Sequence, residues 1–230
     1  MPTTIITGAD SRIGASIARR LHADGHEVVL VGQDPEPLVE LTRSVGDDRC
    51  SFLVADLTSP TICAGVLAEV SDRHGAIDGL VTHVGNDRLW SDDDLGLESW
   101  RRAFADQLIA CHQLILGAQP ALARSGGSAV VVSASSSGTD RAVGAAAAAS
   151  DGVRNVVRSL ALDIGSTRGL RVNGVAPTAC PDAAEIADVV AFLLGRDARS
   201  VNGAIAVVAD GDASRSILGD AGPAPLARPA

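Results

Sequence analysis

The 230-residue chain contains no tyrosine, and its 19 lysine-plus-arginine residues are all arginine, so lysine is absent too. No phenol, lysine Schiff base or P-loop lysine is available, and any mechanism built on one of them is excluded. Positive charge is short: the net charge is −9. The chain therefore lacks the basic footprint that binding a phosphate backbone needs, which argues against a nucleic-acid partner. No apolar run reaches the roughly 18–20 residues of a membrane helix. The opening MPTTIITG has no basic n-region and no cleavage site, so a cytoplasmic location is expected. Cys50, Cys63, Cys111 and Cys180 form no CxxC pair. They read as small buried hydrophobes in a reducing compartment, with no metal or disulfide role.

What is present fits an ordinary globular domain. Hydrophobic residues make up 46% and charged residues 20%, which is neither disordered nor fibrous. Short β-branched runs alternate with helical stripes. Strands are predicted over Thr3–Thr7, Val28–Val31, Phe52–Ala55, Gly79–Thr82, Ala129–Ser133, Leu170–Val175 and Ala204–Val208. Between them, Ile13, Ile17 and Leu21 mark a helix, Asp34-Pro35 opens a second, and Pro60 to Arg73 forms a third. A long helix is predicted over 97–123, another over 144–165 on the stripe Val153, Val156, Val157, Leu160 and Ile164, and a last over Ala183–Leu194. The strands are continuously apolar rather than alternating, the mark of a parallel sheet covered on both faces. The expectation is a doubly wound α/β fold of about seven strands in one domain over residues 1–212. Residues 213–230, rich in Ser, Gly, Pro and Ala, read as a flexible tail.

Several motifs stand in a telling order. Thr7-Gly8-Ala9-Asp10-Ser11-Arg12-Ile13-Gly14 follows the first strand, Asp56-Leu57 the third, and Thr82-His83-Val84-Gly85 the fourth. Gly127-Ser128-Ala129-Val130-Val131-Val132-Ser133-Ala134 forms the fifth, and Arg171-Val172-Asn173-Gly174-Val175-Ala176-Pro177 the sixth. Together these resemble the classical short-chain dehydrogenases/reductases from Thr3 to Asp212. The resemblance implies a Rossmann-like cofactor crevice. Its glycine-rich turn would be Gly8, Arg12, Ile13 and Gly14, with Asp56 and Leu57 at the adenine and Gly85 on the cofactor floor. Arg12 replaces a glycine of the family's loop and either blocks the pyrophosphate or binds it as a cation. Gln33 after the second strand decides between neither NAD nor NADP, and Asp34 reads as a helix cap.

The resemblance also places the family's catalytic Asn-Ser-Tyr-Lys set on Gln107, Ala134 (or Ser133 with a one-residue slip), Ala146 and Ser150. None of these can do the phenol and ammonium chemistry. Only Thr178-Ala179-Cys180-Pro181 separate the sixth strand from the helix opened by Asp182, where the family carries a substrate lid, so that lid reads as deleted. The expectation from these losses is a catalytically inactive member, a structural or regulatory subunit paired with an active relative. NAD(P) binding is then expected to be absent or weak. Association is expected through helices 97–123 and 144–165, as a homodimer, a tetramer or a heteromer with that relative. Two alternatives stand beside it. One is an enzyme of different chemistry in the remodelled crevice, using His83, Asp87 or Asp140 with Ser133 and Ser135. The other is an NAD(P)-dependent oxidoreductase, implied by family inheritance alone.

Overall fold

The apolar runs become strands wherever helices cover both of their faces. In the computed structural model, which describes residues 1–46, 48–83, 96–133, 144–165, 169–177 and 182–209, they are β1 Thr3–Thr7, β2 Glu27–Gly32, β3 Cys50–Val54, β4 Gly79–His83, β5 Ser128–Val132, β6 Arg171–Pro177 and β7 Ile205–Val208. All pair in parallel in the order β3-β2-β1-β4-β5-β6-β7. The expected single-domain, doubly wound architecture is what forms. The edge strands β3 and β7 are the ones left partly exposed, while β1, β4 and β5 are buried throughout.

Successive residues of a strand point to opposite faces, and the core divides accordingly. Ile5, Leu80, Ala129, Val131 and Val172 pack on one side with Cys111, Leu114 and Val157. Ile6, Val81, Val130, Val132 and Val175 pack on the other with Ile17, Leu38 and Ile186. The second set of helices is α1 Arg12–Ala23, α2 Pro35–Val45 and α7 Ala183–Leu194; the first is α3 Pro60–His74, α5 Ala110–Ser125 and α6 Ala145–Leu160. Side-chain caps start three of these helices: Ser11 accepts from the Gly14 N–H, Asp34 from Glu36, and Asp182 from Ala184.

Two predicted helices are not uniform. The run expected over 97–123 is α4 Leu97–Ala103, a π-helical stretch Phe104–Ile109, and α5, which ends at Ser125. The run expected over 144–165 is α6 followed by a π-helical stretch Ala161–Gly165. A π turn holds an extra residue and sits as a bulge within an α-helix, so each stretch continues its helix while shifting the face that follows. β6 ends at Pro177 and α7 begins at Ala183, so residues 178–182 are all that connect them. Residues 178–181 and 210–230 lie outside the described residues, and with them the expected tail.

Among the described residues, no helix is long and apolar enough to cross a membrane. Cys50, Cys63 and Cys111 are buried, as expected, while Cys180 lies outside the described residues.

Candidate functional site

The strand order reverses between β1 and β4, and a crevice at the carboxyl ends of such a pair is where open α/β sheets bind ligands. Thr7 and His83 end these two strands and are tied together. The His83 N–H donates to Thr7 Oγ1 at 3.2 Å, and that hydroxyl donates to the His83 carbonyl at 3.4 Å. Gly8 then turns the chain in the left-handed region at φ 63°. A Cβ on Gly8 would lie 2.5 Å from the His83 carbonyl oxygen and 3.2 Å from its ring, so only glycine fits. A Cβ on Gly14 would lie 2.1 Å from the Gly8 carbonyl oxygen. The loop thus lies directly on the first turn of α1.

This geometry fits a dinucleotide. The first glycine makes the tight turn and the last allows close packing of helix on loop, the two roles those positions serve in phosphate-binding turns. The N-terminus of α1 presents backbone N–H groups and a positive dipole end to an anion. Ser11 already satisfies the Gly14 N–H, and its own hydroxyl also donates to the Gly8 carbonyl at 2.8 Å. Arg12 opens α1 with an exposed side chain, and Ile13 packs partly against the core.

Asp10, not singled out by sequence reasoning, reaches across from this loop to the end of β2. Its Oδ2 accepts the Gln33 N–H at 2.8 Å and the Asp34 N–H at 3.0 Å. The Asp34 carboxylate caps α2 through the Glu36 N–H at 3.1 Å, as expected. After β3, Asp56 caps no helix. It makes a local turn, accepting from the Thr58 N–H at 3.1 Å and the Thr58 hydroxyl at 2.7 Å. Leu57 packs against the core, and its carbonyl accepts from the Cys63 thiol.

The positions matched to catalytic residues come together in part. Gln107 sits in the Phe104–Ile109 π stretch and is 1% exposed. The Ser150 hydroxyl, 1% exposed on α6, donates to Gln107 Oε1 at 3.2 Å. Among the described residues, the Gln107 amide nitrogen is buried without a hydrogen-bond partner. Ala146 lies on α6 a turn before Ser150. Ser133 follows β5, buried, with its N–H on the Val175 carbonyl at 3.0 Å and its hydroxyl on the same oxygen at 3.5 Å. His83 is 4% exposed and forms the floor against Gly8. Gly85, Asp87, Ala134, Ser135 and Asp140 lie outside the described residues.

Charge at the edge of this region is perturbed by burial. Asp106, beside Gln107, has its carboxyl pushed up by desolvation; Arg102 opposes the shift and Asp56 adds to it. Cys111, fully buried below Thr82, has its thiol pushed up to about 11 and is no nucleophile. The structure thus brings Gln107 and Ser150 together in the interior, while His83 lies on the crevice floor beneath Gly8.

An all-parallel α/β sheet in this order, with a glycine turn over its switch point, places the chain in the doubly wound, Rossmann-like class. The chain belongs to the short chain dehydrogenase family, whose model matches residues 2–186. It is 31% identical over 181 residues to D-beta-hydroxybutyrate dehydrogenase of Rhizobium meliloti, covering 76% of this chain and 70% of that protein. It is 30% identical over 242 residues to meso-2,3-butanediol dehydrogenase of Serratia marcescens, covering 92% and 94%. The citronellol catabolism dehydrogenase of Pseudomonas aeruginosa PAO1 superposes with a TM-score of 0.83 at 26% identity, covering 93% of this chain and 95% of that one.

These relatives overturn the expectation of an inactive subunit. They are dehydrogenases, and likeness to them over most of the chain points to an enzyme. The physical reason lies in the weight given to the missing phenol and ammonium. General acid–base assistance is worth about 10²–10⁴-fold, whereas holding reactants in place is worth about 7–11 kcal/mol of the barrier. Loss of phenol and ammonium lowers a rate without removing the larger contribution. Family membership likewise favours a nicotinamide dinucleotide as cofactor and lends no support to binding that is absent or weak.

Proposed function

We propose that the protein is an NAD(P)-linked oxidoreductase acting on a small alcohol or carbonyl compound. The observation that carries this reading is the turn at the switch point, where Gly8 and Gly14 take the two positions that no other residue fits. The resemblance to dehydrogenases of hydroxybutyrate and butanediol supports the substrate class. Gly8, Gly14 and the first turn of α1 with Arg12 and Ile13 would hold the pyrophosphate.

When bound there, a nicotinamide dinucleotide would supply hydride-transfer chemistry. The chain's contribution is placement. The Ser133 hydroxyl at the end of β5, held by only a long 3.5 Å bond to the Val175 carbonyl, would turn to the reacting oxygen, and the buried Gln107–Ser150 pair braces α6 against the π stretch. The proton that joins the oxygen in reduction, or leaves it in oxidation, exchanges with water, because the chain has neither phenol nor ammonium. Turnover is accordingly slow by the 10²–10⁴-fold that such a group supplies, in round figures about a thousandfold.

A homo-oligomer built on helices 97–123 and 144–165 belongs to the same reading. Leu97, Trp100, Ile109, Leu116 and Leu162 lie exposed on these segments. The experiment that tests the function follows consumption of NADH and NADPH by purified protein with small ketones, diketones and 3-oxoacids. Ser133→Ala serves as the variant and is expected to lower kcat without abolishing dinucleotide binding.

A further inference from the structure

Dinucleotides with and without a 2′-phosphate differ at one place, the ribose held beyond the end of β2. Gln33, the first residue there, carries no charge. The charge instead arrives from a different loop. Asp10 leaves the β1–α1 turn and puts its carboxylate on the two backbone N–H groups of Gln33 and Asp34, at 2.8 and 3.0 Å. Gly32 makes room for it: a Cβ there would lie 2.6 Å from the Asp10 carboxyl carbon and 2.8 and 2.9 Å from its oxygens. Both bonds fall on Oδ2, which leaves Oδ1 without a partner among the described residues.

Each feature has the same consequence. The two N–H donors that a 2′-phosphate would use are already taken by an anion. A phosphate monoester brings about −1.5 to −2 charges at neutral pH, and beyond the end of β2 it would face that carboxylate. The Asp34 carboxylate is next to it, on the cap of α2. A ribose 2′-hydroxyl, in contrast, donates a hydrogen bond to Oδ1. The exposed Arg12 on α1 lies two residues further along the same loop and is the cation nearest in sequence. Drawing a phosphate onto these donors would require displacing Asp10 from two charge-assisted bonds.

We propose that Asp10 makes the crevice selective for NAD(H) over NADP(H), a carboxylate supplied from the phosphate-loop side to the position that reads the 2′ substituent. This rests on the reading of the crevice as a nicotinamide dinucleotide site. The test is calorimetric titration of the whole protein with NADH and with NADPH, in wild type, Asp10→Asn and Asp10→Ser. In wild type, NADH is expected to bind at least about tenfold more tightly than NADPH, the size of one hydrogen bond to a charged group. Asp10→Asn retains the shape and an acceptor oxygen but removes the charge, and it is expected to narrow that ratio by about tenfold. Asp10→Ser frees the two N–H groups and should narrow it further.

Equal affinities in wild type, tighter NADPH binding, or a ratio unchanged by Asp10→Asn each overturn the assignment while leaving the dinucleotide site standing. No heat with either dinucleotide at millimolar concentration overturns the site itself, and the assignment with it. The wild-type ratio decides the direction even if a variant fails to melt cooperatively.

Discussion

Arg171 shows how much a single side chain of this fold carries. Its guanidinium donates to the carbonyls of Leu193 at 2.7 Å, Ala198 at 3.0 Å, Leu194 at 3.0 Å and Gly195 at 3.2 Å. The last carbonyls of a helix lack partners within it and carry its negative dipole end. A cation there satisfies α7 and fastens it to β6. Asn173, two residues on, does the same for the next connection, donating to the Val201 carbonyl at 2.9 Å and accepting from the Ala204 N–H at 3.1 Å. Arg171→Leu is expected to cost about 2–4 kcal/mol, since several carbonyls lose a charged donor together; urea unfolding measures it. A second expectation concerns His26, half-buried with Nδ1 2.9 Å from the Thr4 hydroxyl. Burial lowers its pKa below 6.5 against the pull of Asp24 and Asp78. The unfolded state then binds the proton more tightly, so the stability contributed by neutral His26 is complete above pH 6.5 and declines as pH falls through that value. Comparing the pH dependence of unfolding for wild type and His26→Gln isolates this slope, which the variant should lack between neutrality and the folded-state pKa. Cys63 and Cys111, both with raised thiol pKa, should resist alkylation in the native protein at neutral pH. Peptide mapping after iodoacetamide treatment reads this directly.

Among the elements, α1 and its preceding loop are the least tolerant of change. Gly14→Ala would set a methyl 2.1 Å from the Gly8 carbonyl oxygen and 2.8 Å from the Ala9 Cα, both backbone atoms. The loop must then leave the helix, at an expected cost of about 1–3 kcal/mol and with loss of dinucleotide affinity, measurable by thermal unfolding and by titration. This turn was legible in the sequence because glycine spacing has few other causes. The strands were legible because burial on both faces leaves continuous apolar runs, and their boundaries shift by a residue or two where polar residues such as Glu27, Ser51, His83 and Ser128 continue the ladder. The π stretches at Phe104–Ile109 and Ala161–Gly165 were not legible, because whether a backbone N–H reaches back four residues or five leaves no mark in residue type. Nor was the Asp10 bridge: its partners are backbone N–H groups of Gln33 and Asp34, which carry no sequence signature. The absence of Tyr and Lys was read correctly as composition and weighed too heavily as function, since residues that only orient a substrate have no fixed identity to recognise.

At the scale of the molecule, the sheet sets Thr7, His83 and Ser133 at the carboxyl ends of its central strands while helices cover both of its faces. The apolar residues left outside fall partly on the 97–123 and 144–165 helices, Leu97 and Leu162 foremost at 67% and 73% exposed. A self-complementary patch needs only two-fold symmetry to close, and light scattering at micromolar concentration is expected to give at least twice the 23.3 kDa chain mass. A single-chain mass at that concentration would remove the helical interface from the account. The central claim is that this crevice carries oxidoreductase chemistry without a phenol or an ammonium group. Its most direct test is steady-state oxidation of NADH by purified protein across a panel of small ketones, diketones and 3-oxoacids. Turnover above the protein-free rate, lowered by Ser133→Ala, is predicted; bound dinucleotide with no turnover on any substrate, in either direction, would contradict it.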